Sequence, residues 1–363
     1  MHFNEPLIFE IGSQGRYAYS LPDIDLPESD IKDIIPEGML REDISGFPEL
    51  SEGDVVRHFT RLSQLNYHLD NGFYPLGSCT MKYNPKINED VSRLSGFSMI
   101  HPYQPTEISQ GILQLMYELE LYLAEISGMD RISLQPAAGA QGEFTGMMMI
   151  HAYHTLRGDH HRKKVIIPDS AHGTNPASVS LCGYQAIEII SNKMGLIDPK
   201  GLRQIMDEEV SALMLTNPNT LGLFEEEIIE ITSIVHDKGG LVYCDGANLN
   251  ALMGIARLGD MGIDVLHFNL HKTFSTPHGG GGPGAGPIGI KEVLSDFLPV
   301  PVIKKGGNKY QLDYNLPHSI GKVKAFYGNI SVLIKAYAYI RTMGGDGLKR
   351  ASEVAVINAN YLR

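Results

Sequence analysis

The feature that most restricts the fold is an alternation of short apolar runs with helical segments, which starts at about residue 132. The runs have the length of buried strands, and the segments between them have helical periodicity, as at 225–238. This order is typical of a mostly parallel sheet covered by helices, because each parallel connection needs a crossover. The fold class is therefore α/β, with strands predicted at 165–167, 186–190, 212–215 and 241–244.

Two flanking segments depart from this pattern. Residues 1–65 are rich in proline and acidic side chains, which predicts an extended N-terminal arm with short helices. Residues 66–327 form the predicted large domain, and within them a strong helix is expected at about 107–127. Residues 328–363 are helical and are expected to begin a C-terminal small domain.

Composition and charge exclude several kinds of partner. The net charge of −12 and the lack of a basic stripe argue against nucleic acid. No apolar run approaches the roughly 20 residues that span a bilayer, and the start of the chain does not read as a secretory signal. Three widely spaced cysteines do not form a disulfide framework. We therefore expect a cytoplasmic protein without a membrane or nucleic-acid partner.

Two polar residues follow neighbouring predicted strands, at the edge where α/β proteins bind ligands. Asp245 follows the strand at 241–244, and Lys272 follows the apolar run 265–269. A pyridoxal ring needs a carboxylate at its pyridine nitrogen and a lysine that holds its aldehyde as an imine. Either residue alone is more often a loop cap or a surface cation. Together they predict a site for pyridoxal 5'-phosphate (PLP), with Ala247 against one face of the ring.

Other strand ends offer groups for the rest of this cofactor. His172, in the loop after the strand at 165–167, would stack on the opposite face of the ring. The small-residue turn at 138–141 leads into a helix, whose N–H groups and dipole favour a phosphate. Thr216 or Asn217 would bind the phenolic oxygen, although a structural turn explains these residues equally well. The expected cofactor-binding residues are Ala138, Gly139, Ala140, Gln141, His172, Thr216, Asn217, Asp245, Ala247, His271 and Lys272.

Two other kinds of site are not supported by the spacing of the residues. The glycine run at 279–284 lacks the lysine of a P-loop, and we interpret it as a mobile or closely packed loop beside Lys272. A metal hydrolase could draw its ligands from His151, His154, Asp159, His160 and His161. Their spacing is not H-E-x-x-H, and histidine is favoured at helix ends in any case, so no metal site is expected.

Several long strings carry a family resemblance. Residues 269–274 read NLHKTF and residues 277–284 read PHGGGGPG. Residues 74–85 read YPLGSCTMKYNP, and further strings occur at 101–105 and 170–178. Together they resemble the glycine cleavage system P-protein family over nearly all of the chain, and in particular the lysine-bearing second subunit of its two-subunit bacterial form.

The resemblance implies a fold-type I PLP-dependent transferase. It implies decarboxylation of glycine, release of CO2 and transfer of the aminomethyl group to the lipoyl arm of H-protein. Lys272, which would hold PLP covalently, and His172 are the implied catalytic residues. Ser78, Cys79 and Thr80 would lie near the entrance for glycine or the lipoyl arm. Subunit 1 is the implied partner, in a heterotetramer with two copies of each subunit.

The sequence leaves two points open, the reaction that is catalysed and the extent of the C-terminal domain. Another fold-type I PLP enzyme, such as an aminotransferase or a cysteine desulfurase, would use the same ring-binding residues, and a non-catalytic scaffold could keep the fold. The family's second subunit continues into a smaller C-terminal domain, whereas this chain stops at 361–363 within a predicted helix. A truncated C-terminal domain is therefore expected, and with it doubtful activity of these 363 residues alone.

Overall fold

The computed structural model describes residues 4–18, 22–23, 25–41, 43–72, 74–76, 79–278 and 284–363, and for 74–76 and 79–81 it describes the backbone only. The chain divides into two compact units, Met1–Tyr74 and Pro75–Arg363. The boundary predicted at 65/66 and the separate segment at 328–363 remain predictions. Among the described residues, no helix combines the length and apolar character needed to cross a bilayer.

The first unit contains little regular structure. Its elements are a 3-10 turn (Ile8–Glu10) and the helices α1 (Ile31–Ile34) and α2 (Glu52–Ser63). The carboxylate of Glu5 is buried and lies 2.9 Å from Nδ1 of His58, and it accepts two hydrogen bonds from Arg61. The hydrogen bonds from Arg61 lower the pKa of Glu5 to about 2, although burial opposes the shift. This cluster ties the start of the described chain to α2.

The second unit contains most of the regular structure, and the short strands β1 (Tyr74–Leu76) and β2 (Cys79–Met81) pair near its start. A break at Gly344 interrupts the last helix, α11 (Ile330–Leu362). The helices are α3 (Lys86–Ser92), α4 (Ser95–Ser98), α5 (Gln110–Ser127), α6 (Gly139–Leu156), α7 (Thr174–Leu181), α8 (Pro199–Ile205), α9 (Ile228–Asp237), α10 (Leu270–Thr273) and α11 (Ile330–Leu362). The further strands are β3 (Arg131–Ser133), β4 (Lys164–Pro168), β5 (Gln185–Ile189), β6 (Val210–Thr216), β7 (Leu241–Gly246), β8 (Val265–Phe268), β9 (Ile288–Ile290), β10 (Val302–Gly306) and β11 (Lys309–Asp313).

A seven-stranded sheet forms the centre of this unit, in the order β3-β9-β8-β7-β6-β4-β5. In this sheet β9 runs antiparallel to both of its neighbours, and the pairs among the other described strands are parallel. Alternate side chains of β6 enter different apolar clusters, Leu213 and Leu215 in one and Ala212 and Met214 in the other. Successive strand residues point to opposite faces, so both faces of the sheet are covered. The predicted mostly parallel α/β architecture is confirmed.

Three glycines let α6 lie very close to the sheet. A Cβ atom at Gly139 would lie 2.2 Å from Oδ1 of Asn269, and one at Gly142 would lie 2.8 Å from the carbonyl oxygen of Gly286. A Cβ atom at Gly146 would lie 2.4 Å from Cε2 of Tyr243. These glycines recur at helical spacing and form one face. Their packing sets the N-terminus of α6 beside the segment that follows β8.

We expect Gly146→Ala to lower the free energy of unfolding by about 1–3 kcal/mol, because the added methyl group overpacks the contact with Tyr243. The matched control is Gly111→Ala in α5, where a Cβ atom would meet no atom within 4 Å. That variant should be neutral or stabilise by less than about 1 kcal/mol. Urea unfolding of the two variants checks this, and equal unfolding midpoints would contradict the tight packing.

Candidate active site

Asp245 is a buried carboxylate near the carboxyl end of β7. Its Oδ1 accepts a hydrogen bond of 2.9 Å from the backbone N–H of Ala247, and its Oδ2 accepts one of 3.0 Å from Nδ2 of Asn175. Nε2 of His267 lies 3.3 Å from Oδ1. Burial alone would raise the pKa of Asp245, but His267 and these hydrogen bonds outweigh it and hold the pKa below its ordinary value. The site therefore holds an ionised carboxylate.

Lys272 lies in α10, directly after β8, which is the neighbour of β7 in the sheet. Its side chain is half-buried, and its charge contributes to the low pKa of Asp245. Within the described part of the chain, Nζ has no hydrogen bond or ion pair. Ser275 just beyond it has a φ of 51°, which is unusual for a residue with a side chain, and its carbonyl oxygen accepts a hydrogen bond from Asn84. The structure thus brings the predicted Asp245 and Lys272 into one site.

His172 lies on the loop between β4 and α7, and its side chain is exposed. Its Nδ1 lies 2.8 Å from Oγ1 of Thr174, which in turn donates a 2.8 Å hydrogen bond to Glu143. Asn175, the next residue along the chain, is the hydrogen-bond donor to Asp245. The loop of His172 is therefore joined to the site, whereas stacking of its ring on a cofactor stays a prediction.

The predicted phosphate turn lies at the N-terminus of α6. Ala138 and Ala140 are exposed there, and no side chain of the described residues caps the helix. The side chain of Gln141 already forms two hydrogen bonds within the protein. It accepts one from the N–H of Ala137 and donates one to the carbonyl oxygen of Val323. Uncapped N–H groups at the start of an 18-residue helix suit a phosphate group. Backbone atoms of 138–141 could supply such a site, and the side chain of Gln141 is not needed for it.

Other buried polar atoms near these strand ends could bind a ligand. At the end of β6, Oγ1 of Thr216 and Nδ2 of Asn217 are buried and have no hydrogen-bond partner among the described residues. Oδ1 of Asn217 accepts from the N–H of Glu225, which fixes the amide with Nδ2 as a donor. Oδ1 of Asn269, beside the N-terminus of α6, also has no partner in the part of the chain that the structure describes. Buried polar atoms rarely stay unpaired in a folded protein, so a polar ligand here is physically reasonable.

His271 precedes Lys272 and is buried, and its ring contacts His278 edge-on with centroids 4.6 Å apart. Burial, together with the nearby charges of His278, Lys272 and Lys82, lowers the pKa of His271 to about 3. Within the described ranges, its Nδ1 has no hydrogen-bond partner. His271 is therefore neutral at physiological pH.

We expect the folded state to lose stability as the pH falls from about 6.5 toward 3, because the unfolded chain binds the proton of His271 at the higher pH. Between pH 7 and pH 5, the free energy of unfolding should fall by about 2 kcal/mol less in His271→Asn than in the original chain. The control is His151→Asn, the same replacement at an exposed histidine, measured in the same way. Urea unfolding at several pH values checks this, and parallel curves for His271→Asn would contradict it.

Some predicted residues lie outside the described part of the chain. Ser78 and most of the glycine run (279–283) are among them, and the side chains of Cys79 and Thr80 are also outside it.

The histidines considered as metal ligands do not form a metal-binding group in the described residues. His154 is buried and its Nε2 lies 3.0 Å from the carbonyl oxygen of Ser211. A different group, Glu143, Asp245 and His267, has three possible ligand atoms within 4.8 Å of one another. Its two carboxylates already accept hydrogen bonds from the side chains of Thr174, Ser178 and Asn175. We interpret this group as part of the hydrogen-bonded site.

Sequence reasoning missed four residues of this site. Glu143, Asn175, Tyr243 and His267 are all buried, and each is hydrogen-bonded within the site. One sequence signal could have identified such residues, namely a polar residue inside an otherwise apolar run, such as His267 in the segment 265–268. Such residues are seldom buried without a partner.

Residues 24–307 match the family model described as "Glycine cleavage system P-protein". The chain belongs to the glycine cleavage system P-protein family. A relative from Caldanaerobacter subterraneus subsp. tengcongensis, named "Probable glycine dehydrogenase (decarboxylating) subunit 2", is 64% identical over 357 residues, which cover 98% of this chain and 74% of that protein. A relative of the same name from Halalkalibacterium halodurans is 58% identical over 362 residues, with coverages of 100% and 74%.

Solved structures agree with the P-protein fold. A glycine decarboxylase (P-protein) of the glycine cleavage system in inhibitor-bound form has a TM-score of 0.71 at 22% identity, and the match covers 88% of this chain and 73% of that one. Sphingosine-1-phosphate lyase from Burkholderia pseudomallei has a TM-score of 0.60 at 13% identity, with coverages of 88% and 74%. The chain thus has the fold of the fold-type I PLP-dependent enzymes, and the predicted family and fold class are confirmed.

Proposed function

We propose that this P-protein chain holds PLP covalently on Lys272 and decarboxylates glycine, transferring the aminomethyl group to the lipoyl arm of H-protein. The observation that carries the proposal is the buried, ionised Asp245 beside Lys272, at the carboxyl ends of neighbouring strands. When bound, PLP supplies an electron sink for the electron pair left by departing CO2. Membership of the P-protein family and the names of its relatives support glycine as the substrate.

The residues of the chain take distinct roles in this proposal. Asp245 keeps the ring nitrogen protonated, and the N-terminus of α6 binds the phosphate through backbone N–H groups. Nδ2 of Asn217, which has no partner among the residues described, is a donor for the phenolic oxygen. Ala247 would lie against one face of the ring, where its small side chain leaves room, and His172 would stack on the other face. Neutral His271 adds no second positive charge beside Lys272.

The partners also belong to this proposal. The relatives are named "subunit 2", which supports a subunit 1 as partner, and we propose a heterotetramer with two copies of each. Glycine and lipoylated H-protein are the proposed substrates, and the cytoplasm is the proposed compartment. Ser78, Cys79 and Thr80 are proposed to line the entrance.

The test is the glycine-dependent exchange of labelled bicarbonate into the carboxyl carbon of glycine. It should be measured on the full-length subunit assembled with subunit 1 and lipoylated H-protein. We expect exchange that falls sharply when H-protein without its lipoyl group is supplied, because this control keeps every protein contact and removes only the acceptor. Transamination without bicarbonate exchange would contradict the proposal and favour an aminotransferase.

A further inference from the structure

A row of buried polar residues continues from Asp245 across two strands. His267 in β8 is paired in register with Asp245 in β7, and both are buried. Nδ1 of His267 lies 2.8 Å from the hydroxyl of Tyr243, and Nε2 lies 3.3 Å from Oδ1 of Asp245. Tyr243 is two residues before Asp245 in the same strand, so the two side chains share a face. The imidazole therefore lies between a phenol and a carboxylate.

The neighbours of His267 decide which of its nitrogens carries a proton. A lone pair on Nε2 would face the carboxylate of Asp245. A carboxylate oxygen of Glu143 also lies within 4.8 Å of one nitrogen of the imidazole. Burial, and then the charges of Glu143 and Asp245, raise the pKa of Tyr243 well above its ordinary value, so it stays a phenol that can donate to Nδ1. Nε2 therefore carries a proton that faces Asp245, whether the imidazole is neutral or charged.

The two carboxylate oxygens of Asp245 have different hydrogen-bond partners. Oδ1 accepts from the N–H of Ala247 and faces Nε2 of His267, whereas Oδ2 accepts a hydrogen bond from Asn175. A carboxylate oxygen has two lone pairs, so among the described contacts Oδ2 keeps one of them. This count marks Oδ2 as the oxygen available to a further donor.

We propose that His267, held by Tyr243, is a positioning residue that keeps Asp245 ionised and oriented, with Oδ2 left to accept the N–H of the cofactor's ring nitrogen. This inference rests on the proposed PLP-dependent function. His267 reaches the cofactor only through Asp245, so its removal should change the protonation of the ring nitrogen. A residue that only fills space in the core would not have that effect.

The experiment uses the full-length holoenzyme, assembled with its partner subunit and loaded with PLP that is 15N-labelled at the ring nitrogen. The 15N chemical shift reports protonation of that nitrogen, and equilibrium dialysis reports the affinity for PLP. We expect His267→Leu to weaken PLP binding by about 10- to 100-fold, as for the loss of a hydrogen bond to a charged group. It should also move the 15N signal toward that of the unprotonated ring.

Tyr243→Phe is the second variant, and it removes a single oxygen atom, so it tests the inference if His267→Leu does not fold. It should act in the same direction with a smaller effect, about 3- to 10-fold on PLP affinity. The matched control is His236→Gln, because Nε2 of His236 lies 2.7 Å from Oδ2 of Asp264, just before the start of β8. This variant should leave both measurements unchanged.

Asp245→Asn distinguishes a failure of the inference about His267 from a failure of the proposed PLP site. If it removes protonation of the ring nitrogen while His267→Leu and Tyr243→Phe leave the 15N signal unchanged, His267 is not a positioning residue and the PLP site stands. A loss of affinity in these two variants with an unchanged 15N signal would also overturn the inference. If Asp245→Asn leaves the ring protonated, the proposed placement of PLP fails, and the inference fails with it.

Discussion

Replacement of Lys272 by alanine is expected to abolish the covalent attachment of PLP and to lower glycine-dependent bicarbonate exchange by about 1,000-fold or more, as for the loss of a covalent catalyst. The physical reason is that Nζ of Lys272 has no hydrogen bond or ion pair in the described part of the chain and lies near the carboxylate of Asp245. The measurement is borohydride reduction of the PLP-loaded, full-length subunit, followed by peptide mapping. In the unchanged protein, the reduced cofactor should map to Lys272.

Lys291→Ala is the matched control for this experiment. Lys291 also follows a strand of the central sheet, but its Nζ lies 3.0 Å from Asp130 and 3.1 Å from the carbonyl oxygen of Gly128. The control should keep the attached cofactor and the exchange activity. Attachment to a lysine other than Lys272 in the unchanged protein would show that the cofactor site is wrongly assigned.

Asp245→Asn is expected to lower the exchange rate by about 100- to 10,000-fold, while Lys272 still fixes PLP on reduction. Asparagine keeps the shape of the side chain but removes the charge that would pair with a protonated ring nitrogen. Loss of one partner of a buried charge pair costs about 3–5 kcal/mol, and each 1.36 kcal/mol is a factor of ten in rate. The measurements are the rate of bicarbonate exchange per bound PLP and the yield of reduced cofactor.

Asp264→Asn provides the control for the loss of a buried aspartate. Asp264 accepts hydrogen bonds near the amino ends of β7 and β8, including one of 2.7 Å from the N–H of Val242. Its replacement should lower stability and leave the exchange rate per bound PLP unchanged. If Asp245→Asn exchanged bicarbonate as fast as the unchanged protein, a charge at the ring nitrogen would not be needed, and our proposal for Asp245 would be wrong.

Local patterns in the sequence predicted most elements that position the site. The helix expected at 107–127 is α5 (Gln110–Ser127), and the strand expected at 165–167 lies within β4 (Lys164–Pro168). Asp245 was expected just after its strand, whereas β7 continues through it to Gly246. The apolar run ends at Cys244, because the next residue, Asp245, is polar. The backbone of β7 nevertheless stays paired with β6 and β8 at Asp245. Hydrophobicity therefore marks the core of a strand better than its end.

The long strings around Lys272 also predicted the family, which the match to residues 24–307 confirms. A turn that binds a phosphate, or a lysine after a strand, needs specific residue types in a short segment. Such requirements can be read from neighbouring positions in the chain. The roles of the individual site residues nevertheless remain predictions, because they depend on a cofactor.

What the sequence determined by itself was the alternation of strands and helices, the family, and the pairing of an acidic residue with a lysine at neighbouring strand ends. What only the tertiary structure decided was the set of groups that surround Asp245. His267 faces Asp245 because of the register of β7 and β8, and Glu143 reaches them because glycines bring α6 close to the sheet. The register of these strands and the distance between α6 and the sheet arise from contacts between residues far apart in the chain, so no pattern within a short segment records them.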